Sequence, residues 1–281
     1  MSAVQAIAIE AAQVQVPVSN NAISVEGLCS HYGDRQVLYD IDFDVRQNEI
    51  MVVMGGSGSG KSTLLRHLIG LERPTAGSVC LLGQDINRIG RDALHDLRRT
   101  VGVAFQSGAL FSSLSVLENI ILPLEEHTDL DRQTMEIMAR MKLEVVDLAG
   151  FGDFRPSELS GGMLKRAAVA RAIVMDPKLL FFDEPSAGLD PAVASALDEL
   201  ILALRDAMGM SVVVVTHELD SAFKIADRIT VLDGGRILAV DDVAGIRSSD
   251  NQRIRNLLNR IPDREEVDPN EYLKRLTGRQ E

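Results

Sequence analysis

Gly55-Gly56-Ser57-Gly58-Ser59-Gly60-Lys61-Ser62-Thr63 is the stretch whose reading decides the fold of this 281-residue chain. It has the form G-x-x-x-x-G-K-[ST], with Gly55, Gly60, Lys61 and Ser62 at the defining positions. The apolar run Ile50-Met51-Val52-Val53-Met54 precedes it and Leu64-Leu65-Arg66-His67-Leu68 follows. A strand, a glycine loop and a helix is the context that such a loop needs to bind phosphate. The glycines let the backbone turn tightly and approach a ligand closely. Successive N–H groups then face an anion at the first turn of a helix, where the dipole favours negative charge. Lys61 adds a point charge for the β- and γ-phosphates of a nucleoside triphosphate, and Ser62 offers a hydroxyl to Mg²⁺.

Downstream, the chain alternates strands and helices. Thr100–Phe105 reads as a short strand with Gln106 at its C-terminal end, where α/β sheets place ligand contacts. From there the Gln106 amide can reach Mg²⁺ and an attacking water. Leu179-Leu180-Phe181-Phe182 is apolar throughout, as a strand buried on both faces requires. It runs into Asp183-Glu184-Pro185. Asp183 is placed to hold Mg²⁺ through water, and Glu184 to orient or deprotonate the attacking water. Ser211–Thr216 is another buried strand, capped by His217, which is placed to hydrogen-bond a γ-phosphate. Leu159-Ser160-Gly161-Gly162-Met163 opens a helix over Leu164–Met175; Ser160, Gly161 and Gly162 make a second anion cradle.

Between the strand pairs, residues 107–158 read as a helical insertion. Ser115-Val116-Leu117-Glu118 has the form of a capping box, and Pro123 marks a break or a helix start. Arg132–Met141 is amphipathic, with Ile137, Met138 and Met141 at helical spacing as a core face. Ahead of the phosphate loop, Ala22–Leu28 and Val37–Val45 read as strands around the turn His31-Tyr32-Gly33-Asp34. Tyr32 is a candidate to stack on adenine; a half-buried turn tyrosine answers the same position. Arg73–Gly77 is a turn, and Asp233-Gly234-Gly235 joins Ile229–Leu232 to Arg236–Val240 in a hairpin.

Composition narrows the class. Hydrophobic residues make up 46% and charged residues 25%, ordinary for a globular protein, and the net charge of −12 offers no general basic surface for nucleic acid. Cys29 and Cys80 stand far apart without metal-site spacing and read as packing residues. No apolar run approaches the ~18 residues of a membrane span, and no Lys or Arg precedes Arg35, so neither a span nor a secretory signal is expected.

In this order the motifs resemble the nucleotide-binding subunits of ABC transporters, over roughly Ala22 to Val243. The residues carrying the resemblance are Tyr32 (A-loop), Gly55–Ser62 (Walker A), Gln106 (Q-loop), Leu159–Met163 (signature), Leu179–Glu184 (Walker B with the catalytic glutamate), Ser186–Asp190 (D-loop) and His217 (switch histidine). The resemblance implies an α/β fold of the P-loop NTPase, ABC ATPase type: a mostly parallel core sheet with an antiparallel β subdomain and a helical subdomain. Residues 1–21 would be an N-terminal tail, 22–246 the ATPase domain, with the helical part and signature helix in 107–175, and 247–281 a C-terminal extension. It implies ATP and Mg²⁺ as ligands. It also implies a head-to-tail dimer with a second copy, in which each ATP lies between one subunit's Walker A and the other's signature. The usual fifth signature residue is Gln, where Met163 stands here.

Phe105–Phe111, Pro123–Thr128 and Leu159–Met163 further resemble the ATPases of Mla-type phospholipid transporters. That likeness implies an integral membrane permease, an MCE-type lipid-binding subunit, a small accessory cytoplasmic subunit, and a place on the cytoplasmic face of an inner membrane. An ATPase for amino acid or metal uptake, and a non-transport ABC ATPase, are the alternatives. In the C-terminal extension, Ile254, Leu257, Leu258 and Ile261 follow helical spacing, and Tyr272, Leu273 and Leu276 form a second stripe. They are expected to bury against something, with a clasp onto the second ATPase subunit as the favoured arrangement and docking on the chain's own core as the alternative.

Overall fold

The computed structural model describes residues 21–261. The chain opens with a long antiparallel pair, β1 (Asn21–Tyr32) and β2 (Arg35–Arg46), then β3 (Ile50–Met54) and helix α1 (Lys61–Leu68). β4 (Ala76–Leu81), β5 (Gln84–Asp85), α2 (Arg91–Arg99) and β6 (Val101–Ala104) follow. Next come α3 (Val116–His127), α4 (Arg132–Val145), a 3₁₀ turn at Pro156–Glu158 and α5 (Gly161–Ala172). β7 (Leu179–Asp183), α6 (Pro191–Met208), β8 (Ser211–Thr216), α7 (Leu219–Ile225), β9 (Arg228–Asp233), β10 (Arg236–Asp241), α8 (Val243–Arg247) and α9 (Gln252–Leu258) complete the order.

The strands form two sheets, an antiparallel one in the order β2-β1-β4-β5 and a six-stranded one in the order β10-β9-β3-β8-β7-β6. In the larger sheet β9, β3, β8, β7 and β6 run parallel, and β10 closes one edge antiparallel. Its central strands separate two apolar clusters with the period-two alternation of a pleated strand. Ile50, Val52, Met54, Leu180, Phe182, Val212 and Val214 face the helical cluster. Met51, Val53, Leu179, Phe181, Val213 and Val215 face the cluster shared with the antiparallel sheet. Burial on both faces is why these strands read as unbroken apolar runs.

In the helical part, the Ser115 hydroxyl accepts from Glu118 N at 3.2 Å while the Glu118 carboxylate accepts from Ser115 N at 2.7 Å, the reciprocal cap expected from sequence. Three local expectations change. Pro123 neither breaks nor starts a helix: α3 runs through it, forgoing the one hydrogen bond that its missing N–H would donate. Ile137 and Met141 are not core; they are 54% and 60% exposed, and α4 buries Met135, Ala139 and Leu143 instead. His31 and Tyr32 belong to β1, which leaves only Gly33 and Asp34 in the turn.

At the C-terminal end, Ile254 is fully buried in the helical cluster, with Leu257 and Leu258 packed against it. Residues 252–258 therefore dock on their own core, whereas Ile261, expected to bury with them, lies beyond the end of α9 and is 52% exposed. Tyr272, Leu273 and Leu276 lie outside the described residues.

Candidate active site

Four parallel strands end at one edge of the larger sheet, and each delivers a motif there. β3 leads into the phosphate loop, β6 into Gln106, β7 ends at Asp183 before Glu184, and β8 ends at Thr216 before His217. This is the edge at which open α/β sheets bind ligands, because loops leaving the strand ends converge there.

The loop is shaped by what its residues cannot be. A Cβ on Gly55 would lie 2.2 Å from the Leu232 carbonyl oxygen, so only glycine fits beneath β9. Gly58 and Gly60 have φ of +76° and +105°, a backbone that other residues rarely adopt. Ser59 and Thr63 are buried, so the surface they offer a ligand is their backbone. Lys61 starts α1, and its Nζ donates to Gly55 O at 2.8 Å and Gly56 O at 2.9 Å. Burial lowers its pKa, against the nearby carboxylates of Glu184 and Asp183, which raise it. Its ammonium thus folds back on the loop's own carbonyls, across the space that a phosphate would take.

Asp183 is held above the usual carboxylate range, chiefly by burial and then by Glu184 beside it. Glu184 has a left-handed φ of +48°, stabilised by its N–H donating to Val215 O at 2.8 Å. That turn aims its carboxylate at His217: the two lie 2.9 Å apart through Nδ1, and Glu184 also accepts from Thr216 Oγ1 at 3.2 Å. Glu184 and His217, 33 positions apart, form one unit.

An open cleft of about 720 Å³ brings together Gly55, Gly56, Ser57, Gly58, Lys61, Ser62, Gln106, Asp183, Glu184 and His217. Ser160, Gly161 and Gly162 do not line it, and neither does Tyr32. The helix start at Ser160-Gly161-Gly162 is nonetheless present. Ser160 caps α5, its hydroxyl accepting from Met163 N at 3.3 Å. Gly162 leaves no space for a side chain, since a Cβ would meet Val193 Cγ1 at 2.5 Å. The glycine loop before α1 and the capped start of α5 thus do not share a cleft.

Sequence reading missed Lys165. Its Nζ donates to Gln106 O and, at 3.1 Å, to Glu184 O, so α5 grips the turns that carry Gln106 and Glu184. Arg171, six residues further along α5, donates to Gly108 O at 2.9 Å and Ala109 O at 2.7 Å. The cleft also includes Glu218, Leu219, Asn256, Leu257, Arg260 and Ile261, the last four from or just beyond α9. Helical spacing marks Leu257 and Ile261 as apolar positions, but nothing in the local sequence places any of the six at the cleft, because their partners are far away in the chain.

The Met163 side chain packs against the helical cluster, and its part in the cradle is a backbone N–H. Met163→Gln is accordingly expected to change ATPase activity only a few-fold, under about 1.4 kcal/mol of barrier. A loss of a hundredfold or more in steady-state hydrolysis would show that the side chain itself is needed.

The ABC transporter family pattern matches residues 38–187. The Intermembrane phospholipid transport system ATP-binding protein MlaF of Haemophilus influenzae is 37% identical over 237 residues, covering 84% of this chain and 90% of that one. The protein of the same name from Escherichia coli K12 is 37% identical over 243 residues, covering 86% and 90%. The Probable ribonucleotide transport ATP-binding protein mkl of Mycobacterium leprae is 36% identical, covering 85% and 69%. Among solved structures, the dimeric post-hydrolysis state of the ATP-binding cassette MJ0796 with ADP and Pi superposes with a TM-score of 0.72 at 29% identity, covering 79% of this chain and 98% of that one. CbiO1 from Clostridium perfringens, part of the transporter complex cbiONQ, superposes at 0.76 with 25% identity, covering 92% and 100%.

Proposed function

Since this chain belongs to the ABC transporter family of ATPases, we propose that it drives phospholipid transport between two membranes, as a pair of copies beneath a separate permease. The observation that carries the chemistry is the convergence of the phosphate loop, Asp183 and the Glu184–His217 unit on one cleft.

The steps follow from the residues. ATP enters with its phosphates against the loop amides, and Lys61 leaves the Gly55 and Gly56 carbonyls for the β- and γ-phosphates. Ser62, Asp183 and Gln106 line the cleft beside Lys61 and fit Mg²⁺, which would neutralise phosphate charge when bound. Among the described residues no three acidic, His or Cys side chains group to hold a metal by themselves, as suits an ion held partly by the nucleotide. Glu184 takes the proton of a water that attacks the γ-phosphorus while the bond to the ADP oxygen breaks. His217 holds the Glu184 carboxylate in place and reaches the γ-phosphate. Ser160, Gly161 and Gly162 serve the ATP of the second copy, which explains two cradles in one chain.

No helix among the described residues is long and apolar enough to cross a membrane, so transport needs a membrane partner. An MCE-type lipid-binding subunit, a small accessory cytoplasmic subunit and the cytoplasmic face of an inner membrane complete the assembly. The relatives named for phospholipid transport and for ribonucleotide transport stand at 37% and 36% identity, so the cargo is what experiment must decide. Purifying the chain from its own cells with its permease, then extracting the complex, is expected to yield bound phospholipid and ATPase activity that rises in lipid vesicles. A complex carrying nucleotides and no lipid would overturn the phospholipid assignment, and a chain that hydrolyses ATP but never recovers a membrane protein would overturn the transporter reading.

A further inference from the structure

Tyr32 stands at the free end of the long β1–β2 pair, opposite Arg35, and is 45% exposed. A tyrosine there would ordinarily turn about both side-chain torsions in water. Its hydroxyl is instead fastened. It donates to Glu72 Oε2 at 3.1 Å, and Arg66 Nη1 donates to it at 3.2 Å. Arg66 Nη1 also donates to Glu72 Oε1 at 3.1 Å, so the three side chains close a triangle. Glu72 is itself anchored. Its N–H and that of Leu71 donate to Arg66 O at 3.3 and 2.9 Å, and its carbonyl meets Nδ1 of the buried His67 at 3.1 Å. Arg66 lies on α1, the helix that begins at Lys61.

We propose that Glu72 and Arg66 are positioning residues for nucleotide-base recognition: they lock the Tyr32 ring in its stacking orientation and tie it to the helix that holds the phosphates. The proposal rests on the reading that Tyr32 stacks on adenine. Two torsions fixed before the base arrives need not be fixed by binding energy, so the triangle raises affinity without touching the nucleotide. Because Arg66 and Lys61 share one helix, base platform and phosphate cradle move as one body. The triangle acts on the base end alone, so its effect must vanish for a ligand that has phosphates and no base.

The test uses the full chain and two ligands: Mg·ATP, through KM and kcat, and Mg·tripolyphosphate, through its inhibition constant against ATP hydrolysis. Tyr32→Phe keeps the ring and removes the fastened hydroxyl. Glu72→Ala removes the anchor, and Glu72→Gln keeps an oxygen that accepts from the hydroxyl. Tyr32→Phe and Glu72→Ala are each expected to raise KM for ATP three- to tenfold, with the effect on KM rather than kcat and with tripolyphosphate inhibition within twofold of wild type. Glu72→Gln is expected to restore KM to within twofold. If Tyr32→Ala raises KM while Tyr32→Phe and Glu72→Ala do not, the ring acts unbraced and the proposal is overturned. If Tyr32→Ala itself leaves KM unchanged, the stacking reading beneath it fails. Equal weakening of ATP and tripolyphosphate by Glu72→Ala would place its effect on α1 and the phosphate loop, and would also overturn it.

Discussion

Glu184→Gln is expected to lower ATP turnover by about 10²–10⁴-fold while leaving ATP binding intact, the range usually lost with a general base. The substitution is nearly isosteric. The amide oxygen can still accept from Thr216 Oγ1 and His217, so the turn with φ of +48° keeps its supports. What goes is the ability to take a proton from water. ATP then binds, closes the pair of copies and stays, because reopening waits on hydrolysis. Size-exclusion chromatography with Mg·ATP should show the variant eluting as a dimer under conditions where the wild-type protein returns to monomer. Hydrolysis at the wild-type rate would remove Glu184 from the base role and leave the His217 contact as a structural brace.

Ser160→Arg is expected to abolish turnover and to leave nucleotide affinity of the separated chain within about twofold. Ser160 caps α5 and does not line the cleft that holds Lys61, so in the head-to-tail pair proposed above its hydroxyl and the following amides would serve the second copy's nucleotide. An arginine there fills the cradle that the second copy's γ-phosphate would enter. The cost to folding is that of a lost N-cap, about 0.5–2 kcal/mol, which a melting curve separates from a catalytic loss. Mixing Ser160→Arg with Lys61→Ala subunits should recover part of the activity, since one of the two mixed sites joins an intact phosphate loop to an intact cradle. Loss of nucleotide binding in the separated Ser160→Arg chain would place the cradle in cis and contradict the head-to-tail pair.

The sequence by itself determined the chemistry and the skeleton. Gly55 to Ser62, Asp183-Glu184 and Ser160 to Gly162 each need particular residue types at fixed short spacings, and each sits against a strand or helix whose pattern is local. Unbroken runs such as Leu179–Phe182 and Val212–Val215 were legible as parallel strands because a sheet buried on both faces favours apolar side chains at successive positions. Tertiary structure decided what periodicity leaves open. On α4, Met135, Ala139 and Leu143 form one row at four-residue spacing, and Ile137, Met141 and Val145 form another. Helical spacing groups each row, but only the packing of neighbouring helices chose to bury the first. The same holds for the contacts that complete the site. Glu184 meets His217 across 33 positions, Lys165 reaches Gln106 across 59, and Tyr32 reaches Glu72 across 40. The end of α1, the first turns of α5 and the ends of strands β1, β6, β7 and β8 bring these groups within hydrogen-bond reach, and residue type alone carries no signal of a distance set by the whole sheet.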